Sequence, residues 1–280
     1  MPVPLIITRP AEPAHAWQAA LQPHLPGTPC HVLPLIAIAP VAASQLRPYW
    51  QALAQWHAAI FVSPAAVEHF FAAQAHAAQH WQAHGLRAWA VGPGTRRALL
   101  QAGIPAQQID SPPDDAPQFD SEALWPHIQP QLAACLRSGK RILRVRGADH
   151  DPASAAAPEG LGAGKACHPS SGRDWLGAAI RQAGVGVDSV AAYCRQPPVW
   201  QAQQAQAARA LAGQPAVWLF SSALAVRYLA RQLPDMGWAH AHALTTHARI
   251  AQQAQALGFG RVLTCRPTVQ DVAHSLQSCP

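Results

Sequence analysis

The sequence predicts an α/β protein made of two similar domains with parallel sheets. Short apolar runs alternate with helical segments along the 280 residues, which is typical of parallel strands joined by helices. The pattern F-x-S-x-x-A-V occurs at residues 61–67 and again at 220–226. Extended, proline-flanked segments at 31–40 and 187–195 occupy matching points of the two halves. They favour a two-stranded connection between the domains, with two domains in series as the alternative.

The first half opens with an apolar strand at residues 4–8, which ends at Thr8-Arg9-Pro10. A helix over 12–25 follows, and a Pro-Gly pair ends it. The two prolines within 31–40 favour an edge strand or a linker over a central strand. The later elements of this half are predicted as helix 44–57, strand 58–62, a helix from 64, strand 88–91, helix 96–102, loop 110–121 and a helix to 137 capped by Ser121.

The first F-x-S motif predicts a strand that runs directly into a helix. Ser63 occupies the N-cap position, where a hydroxyl oxygen accepts from an N–H group of the first turn. Pro64 follows at the first helical position, where no N–H group is lost. A helix that begins at a strand end directs backbone N–H groups into a crevice and favours anionic ligands.

The second half repeats this order. Strand 142–145 ends at Arg146-Gly147, which mirrors Thr8-Arg9-Pro10. Residues 149–172 are rich in Ala, Gly, Pro and Ser and predict a flexible insertion. The remaining elements are predicted as a helix to 183, extended segment 187–195, helix 200–212, the second F-x-S motif with its helix, strand 241–245, helix 248–257, strand 261–264 and a last helix.

Composition excludes several classes of protein. Half of the residues are hydrophobic and 12% are charged, so large cores can form. The net charge is +6, and all but two of the 20 basic residues are arginines. Arginine binds carboxylates and phosphates in a forked geometry, although a genome rich in G and C explains the same bias. No nucleic-acid motif, signal peptide or membrane span is apparent, so we expect a cytoplasmic protein with reduced thiols.

The sequence gives little support for covalent catalysis, a metal site or a nucleotide-binding site. There is no G-x-S-x-G motif and no pair of cysteines with metal spacing. Ser63 and Ser222 are better explained as helix caps than as nucleophiles. The segment Gly92-Pro93-Gly94-Thr95 lacks the lysine of a P-loop. We therefore expect neither a metal nor an organic cofactor.

A set of polar groups at predicted strand ends remains. In a parallel sheet these ends line the ligand crevice. If the two domains face each other, arginines, hydroxyls and helix N-termini converge on one cleft suited to a polyanionic organic molecule. Structural roles explain three of these residues as well. A salt bridge accounts equally well for Arg9 and for Arg146, and packing against a neighbouring strand accounts for Tyr193. The group consists of Arg9, Ser63, Thr95, Arg146, Tyr193, Ser222 and Thr246.

Nearly the whole chain resembles the uroporphyrinogen-III synthase family. No single motif is specific, but their order and spacing are. The matching segments are ITRP at 7–10, LPLIAI at 33–38, FVSPAAV at 61–67, AVGPGT at 90–95, DSEAL at 120–124, RG at 146–147, GRDWL at 172–176, VAAY at 190–193 and FSS at 220–222.

This resemblance implies two flavodoxin-like α/β domains joined by a two-stranded β-ladder. One domain would combine residues 1–35 with 197–280, and the other would comprise 36–196 with the insertion at 149–172. Family members usually pass from the arginine-glycine pair to the next helix in a few residues, so the insertion is a departure from the family pattern.

The resemblance also implies a cofactor-free lyase of haem biosynthesis. Linear hydroxymethylbilane, which bears eight carboxylates, would lose water and close to uroporphyrinogen III with inversion of ring D through a spiro intermediate. Tyr193 matches the family tyrosine thought to assist departure of the hydroxide. Thr246 is the weakest match, because its turn lacks the family's glycine. The implied substrate-binding residues are Arg9, Ser63, Pro64, Gly94, Thr95, Arg146, Ser222 and Thr246.

Two other classes of function remain open at this point. One is a non-catalytic two-domain module that binds an anionic, tetrapyrrole-like ligand. The other is a sugar- or nucleotide-transferring enzyme with two facing domains, for which no nucleotide motif is present. In each case we expect a monomer, since no amphipathic segment is left over for an interface.

Overall fold

The computed structural model describes residues 3–113, 115–116, 118–150, 167–169 and 174–277. Most of the insertion predicted at 149–172 therefore lies outside the described residues. The chain divides into two compact units. Unit 1 comprises Met1–Ile38 and Gln196–Pro280, and unit 2 comprises Ala39–Arg195.

The strands and helices of the described residues alternate along the chain. The strands are β1 (Leu5–Ile7), β2 (Cys30–Val32), β3 (Ala37–Pro40), β4 (Trp56–Phe61), β5 (Arg87–Ala90), β6 (Ile109–Asp110), β7 (Arg141–His150), β8 (Cys167–Pro169), β9 (Val187–Gln196), β10 (Val217–Phe220), β11 (His242–Thr245) and β12 (Arg261–Thr264). The helices are α1 (Ala11–Leu21), α2 (Ala43–Gln51), α3 (Pro64–Ala72), α4 (Ala77–Ala83), α5 (Pro93–Gln101), α6 (Ser121–Ile128), α7 (Leu132–Ser138), α8 (Trp175–Gln182), α9 (Ala202–Ala212), α10 (Ala223–Gln232), α11 (Ala248–Leu257) and α12 (Val269–Gln277).

Unit 1 is built on a parallel sheet with the strand order β12-β11-β10-β1-β2. Successive side chains of a strand point to opposite faces. Ile6 and Trp218 accordingly pack against α9, α10 and α11, while Leu5 and Leu219 pack against α1 and α12. These four side chains are buried on both faces of the sheet, and each contributes about 1.5–3 kcal/mol of hydrophobic stabilisation.

Unit 2 is built on the strand order β3-β9-β7-β4-β5-β6, and β8 pairs with β7 in the antiparallel sense. On one face of the sheet, Ile60 and Trp89 pack against α6 and α8. On the other face, Phe61 contacts an aromatic cluster of α2 and α3 in which Trp50 stacks on Phe70 at 4.6 Å between ring centroids. Both faces of the central strands are therefore covered by helices, as a parallel sheet requires.

The two sheets have the same spatial arrangement but different chain order. The strand with the F-x-S motif is β4 in unit 2 and β10 in unit 1, and each lies beside the strand that leads to an arginine, β7 or β1. In unit 2 the F-x-S strand comes first in the chain, and in unit 1 the arginine strand comes first. Each half of the sequence therefore contributes part of its strands to one unit and the rest to the other. In each sheet the direction in which successive strands are added changes between the two central strands, β4 and β7 in unit 2 and β1 and β10 in unit 1. Ligands bind at such points in open α/β sheets.

The predicted two-domain α/β fold with parallel sheets is confirmed. The extended segment predicted at 31–40 forms β2 and β3, and each lies at an edge of its sheet as its prolines indicated. The strand β3 lies beside β9, so the two places where the chain passes between units are on neighbouring strands.

Several local predictions were wrong or incomplete. The strand predicted to end at Arg146-Gly147 continues as β7 to His150, so Arg146 lies within a strand and not after one. The helix predicted from 121 to 137 is interrupted by a 3-10 turn at Gln129–Gln131. The helix predicted over 44–57 ends at Gln51, a 3-10 turn covers Leu53–Gln55, and Trp56 begins β4 because its backbone pairs with Arg141 of β7. The cap of α6 is Asp120 and not Ser121, since the Asp120 carboxylate accepts from the Ala123 N–H group at 2.8 Å. The helix α4 was not predicted as a separate element.

Candidate functional site

The F-x-S motif of unit 2 forms a sharp corner between β4 and α3. Ser63 is extended, with φ −164° and ψ 160°, and its Oγ accepts from the Ala66 N–H group at 3.2 Å. Pro64 is the first helical residue. The predicted cap is therefore present, and it holds the Ser63 hydroxyl at the carboxyl end of β4, beside the point where the strand order reverses.

A β-bulge lies beside this corner, between β7 and β9. Arg146 is opposite Ala191, but Gly147 is opposite Tyr193, so Ala192 is an extra residue in β9. Bulges of this kind change the direction of nearby side chains and are frequent next to functional sites. The register shift follows Arg146, one residue after Val145, which is paired with Phe61 at the end of β4. It therefore places Tyr193 at the level of the F-x-S corner.

Gly147 allows the tyrosine ring to cross its strand. A Cβ atom at Gly147 would lie 2.5 Å from Cζ of Tyr193, a distance that real Cβ atoms do not show. The ring passes over the glycine from β9 towards β4, and the Tyr193 hydroxyl shares a hydrogen bond with Ser63 Oγ at 3.1 Å. Tyr193 is only 5% exposed. Three neighbouring strands thus hold one phenol hydroxyl in a fixed position.

His69 also contacts Tyr193, although no sequence motif indicated it. Its ring lies on α3 with its centroid 5.8 Å from that of Tyr193, at an interplanar angle of 43°. The side chain is half-buried. No motif contained His69, because its neighbour lies on a strand more than a hundred residues further along the chain. The contact arises because β9 pairs with β7, which brings Tyr193 beside α3.

A second helix start lies beside the first. Gly94 and Thr95 are in the first turn of α5, which follows β5. A Cβ atom at Gly94 would meet Pro64 Cγ at 3.5 Å, so the N-terminal turns of α3 and α5 are in contact range. Thr95 is 2% exposed. The adjacent helix N-termini direct two sets of N–H groups towards the same edge of the sheet, which favours anionic groups there.

Arg146 lies next to Gly147 and is half-buried. Burial lowers the pKa of its guanidinium from the ordinary value, and the nearby positive charge of Arg144 lowers it further. The neighbouring charges are arranged in ion pairs: Arg144 binds Asp174, and Arg195 binds Asp149 at 2.7 Å. Three arginines and two aspartates therefore interact electrostatically at this edge of the unit 2 sheet.

The predicted site residues of unit 1 lie just after the ends of three neighbouring strands. Ser222 caps α10, accepting from the Leu224 N–H group at 3.2 Å, and Thr246 follows the end of β11, with its N–H group donating to the Phe220 carbonyl at 3.2 Å. Arg9 follows β1, and its guanidinium carbon lies 4.1 Å from the centroid of the Trp17 ring. These three residues lie at the same edge of the unit 1 sheet, again beside its point of reversal.

Arg9 is held in an unusual environment for a cation. Burial lowers the pKa of its guanidinium to about 10. Its Nε atom is buried and has no hydrogen-bond partner among the residues that the structure describes. The ring of Trp17 compensates part of the lost hydration through a cation–π contact. An anionic ligand would supply the missing acceptor.

Other features of the described residues lie away from these groups. A cavity of about 360 Å³ contains none of the predicted site residues, and its lining consists of Arg96, Ile109, Asp110, Ser111, Pro112, Pro113 and His127. The described part of the chain contains no cluster of metal-ligating side chains and no helix long and apolar enough to cross a membrane. Cys30, Cys135 and Cys265 are free, but Cys194 is disulfide-bonded, so the expectation of reduced thiols is wrong for Cys194.

Comparison with known families connects this fold to an activity. The profile of the family described as uroporphyrinogen-III synthase HemD matches residues 17–165 and 155–273, which together span most of the chain. The chain belongs to the uroporphyrinogen-III synthase family. Members of this family act on a tetrapyrrole in porphyrin and haem biosynthesis as cyclising lyases. The resemblance found in the sequence is thereby confirmed.

A solved structure supports the fold. The uroporphyrinogen-III synthetase from Helicobacter pylori 26695 has a TM-score of 0.60 and 12% identity, with all of both chains covered. A mutant uroporphyrinogen III synthase from Thermus thermophilus has a TM-score of 0.49 and 14% identity, covering 98% of this chain and 96% of the other. No curated protein sequence matches this chain. At such low identity the Helicobacter pylori structure establishes the shared fold and not the roles of individual residues.

Proposed function

We propose that this protein is a hydro-lyase that converts hydroxymethylbilane into uroporphyrinogen III with inversion of ring D. The proposal rests on membership of the family and on one observation of the structure. This observation is the buried phenol hydroxyl of Tyr193, held over Gly147 and bonded to Ser63 at the carboxyl end of β4. We also propose that the protein acts as a cytoplasmic monomer, which sedimentation and cell fractionation would test.

Tyr193 is the proposed catalytic residue. The carbon–oxygen bond of the hydroxymethyl group breaks with its electron pair on oxygen, and the phenol gives its proton to the departing hydroxide, so that water leaves. The remaining azafulvenium carbon is attacked by the substituted carbon of ring D, which forms the spiro intermediate. Fragmentation and reclosure follow, and the proton lost as the last pyrrole regains aromaticity restores the phenol. The balance is one substrate to one product and one water.

The other residues are proposed to hold the substrate. Its eight carboxylates suit forked arginine side chains and exposed helix N-termini. In unit 2 this role belongs to the corner at Ser63-Pro64, to Gly94 and Thr95 at the start of α5, and to Arg146. In unit 1 it belongs to Arg9, Ser222 and Thr246. Holding a flexible linear substrate in one folded conformation is itself a large part of the catalysis, since ring closure then becomes a well-oriented intramolecular step.

An isomer assay tests the proposed function. Hydroxymethylbilane closes spontaneously to the type I isomer, so addition of the protein should convert the product to type III. Formation of type I alone in the presence of folded protein would refute the proposal. Binding of uroporphyrin with quenching of tryptophan fluorescence, but without type III product, would instead indicate a non-catalytic binding module.

The role of Tyr193 has its own test. Tyr193→Phe removes one oxygen atom and keeps the ring that packs on Gly147. We expect kcat to fall by about 10²–10⁴-fold, as is usual when a positioned proton donor is lost, while the affinity for product stays close to that of the wild type. Unchanged turnover would show that Tyr193 has a packing role only.

A further inference from the structure

The hydroxyl of Ser63 has two partners at once. Its oxygen accepts from the Ala66 N–H group at 3.2 Å, and the same oxygen lies 3.1 Å from the Tyr193 hydroxyl. A serine hydroxyl offers one donor and two acceptor lone pairs. One lone pair of Ser63 is used by the helix, so its O–H group is still available to donate to the Tyr193 oxygen.

From this geometry, and resting on the proposed function, we propose that Ser63 is a positioning residue that acts through Tyr193. When Tyr193 gives its proton to the departing hydroxide, its oxygen becomes a phenolate. The Ser63 O–H group then donates to that phenolate until the proton from the last pyrrole carbon returns. Ser63 neither gains nor loses a proton in the cycle. This assigns the Ser63 hydroxyl to the reacting end of the substrate, while the helix start that follows it keeps its proposed role in holding the substrate.

The surroundings of the pair favour this role. Hydrogen bonds to an ionised acceptor are shorter and stronger than neutral ones, and burial strengthens them further. The phenolate would form beside the N-terminus of α3, whose partial positive charge favours an anion. The close approach of the ring to Gly147 keeps the hydroxyl within reach of Ser63. The hydrogen bond is therefore already in place before charge develops, which is the condition for efficient electrostatic support.

Ser222 provides a matched comparison within the same chain. It occupies the same position of the repeated motif and also caps its helix, although it accepts at 3.2 Å from Leu224, the second helical residue, whereas Ser63 accepts from the third. In the part of the chain that the structure describes, that capping bond is the one hydrogen bond of the Ser222 side chain, and no tyrosine hydroxyl shares it. Capping is thus common to both serines, and a role through Tyr193 belongs to Ser63 alone.

The experiment is a double-mutant cycle on kcat. We expect Ser63→Ala to lower kcat by about 10- to 100-fold with little change in KM, the loss expected for one hydrogen bond to a charged group. In the Tyr193→Phe background no phenolate forms, so the same Ser63→Ala change should cost less than about 2-fold. Ser63→Thr, which keeps a hydroxyl, should restore most of kcat. Ser222→Ala should keep its full effect in both backgrounds.

Each alternative result has a defined meaning. An equal loss of kcat from Ser63→Ala in both backgrounds, or an effect confined to KM, would overturn the proposal. If Ser63→Ala fails to fold, Ser63→Gly replaces it in the cycle, because glycine is tolerated at an N-cap. Asp120→Ala removes the cap of α6 in the same unit. It should lower thermal stability about as much as Ser63→Ala does and should leave kcat unchanged. A wild-type protein that makes only the type I isomer would refute the proposed function itself, whereas type III product with an additive cycle would refute only the role of Ser63.

Discussion

The two F-x-S corners of this protein are nearly the same locally and differ in what lies across the sheet. Phe61 and Phe220 are both fully buried, and both serines cap a helix through a bond of 3.2 Å. In unit 2 the ring of Tyr193 crosses Gly147 to reach the serine. In unit 1 the position that matches Gly147 is Pro10, and the strand beyond β1 is only three residues long.

The difference separates the part of each corner that the local sequence specifies from the part that other strands supply. The local sequence specifies the strand, the cap and the helix, and it does so twice. The proposed catalytic group comes from another strand, since Tyr193 is 130 residues from Ser63. A repeated motif therefore provides a proposed binding corner in each unit, and the neighbouring strands make one of them the proposed catalytic corner.

The largest effect is expected at Gly147. Gly147→Ala places a Cβ atom 2.5 Å from Tyr193 Cζ, so the ring must move away from Ser63 and the corner of unit 2 comes to resemble that of unit 1. We expect kcat to fall by about 10²–10⁴-fold, comparable to the loss of the proton donor itself. Steady-state kinetics with an isomer assay measures it.

A matched glycine controls for the substitution itself. A Cβ atom at Gly237 would meet no atom within 4 Å, so Gly237→Ala should leave kcat unchanged. If Gly147→Ala retained wild-type kcat, the position of Tyr193 over the glycine would have no bearing on activity.

The next effect concerns Arg9, the arginine that follows β1. Arg9→Met removes a cation whose burial lowers its pKa to about 10. Because burial disfavours the charged form, the cost to folding is present at every pH below about 10 and is relieved only above it. We therefore expect the midpoint of thermal unfolding at neutral pH to stay level or rise, while KM increases by about 10-fold through loss of a charge-assisted bond. A fall in thermal stability with unchanged KM would show that Arg9 is structural.

Sequence patterns predicted the features that depend on residues close together in the chain. The caps at Ser63 and Ser222, the edge positions of β2 and β3 and the alternation of strands with helices follow from residues a few positions apart. The fit of Tyr193 over Gly147 depends on a bulge that shifts the register of two strands. Register is set by the packing of whole strands, and one extra residue alters which side chains meet. No local pattern predicts such a contact.

Smaller effects are expected from the two caps, and these test whether the corners are equivalent in stability. Ser63→Ala and Ser222→Ala should each cost about 1 kcal/mol, the usual value for loss of an N-cap bond. Calorimetry of each variant measures the cost, and the comparison is informative because the two bonds have the same length. A much larger cost at Ser63 would mean that its bond to Tyr193 also stabilises the folded state before any substrate binds.

The smallest effect is expected at the ion pair that joins β7 to β9 at the opposite end of their ladder. Arg141 and Asp188 are 2.5 Å apart, with side chains 48% and 35% exposed. Exposed pairs contribute about 0–1 kcal/mol, so Asp188→Asn should shift stability by less than about 1 kcal/mol and leave kcat unchanged. A loss of kcat would show that this pair maintains the register that brings Tyr193 opposite Gly147. An unchanged kcat assigns that register to the buried packing of the two strands and to the bulge, and the bulge is the feature that β1 and β2 of unit 1 lack.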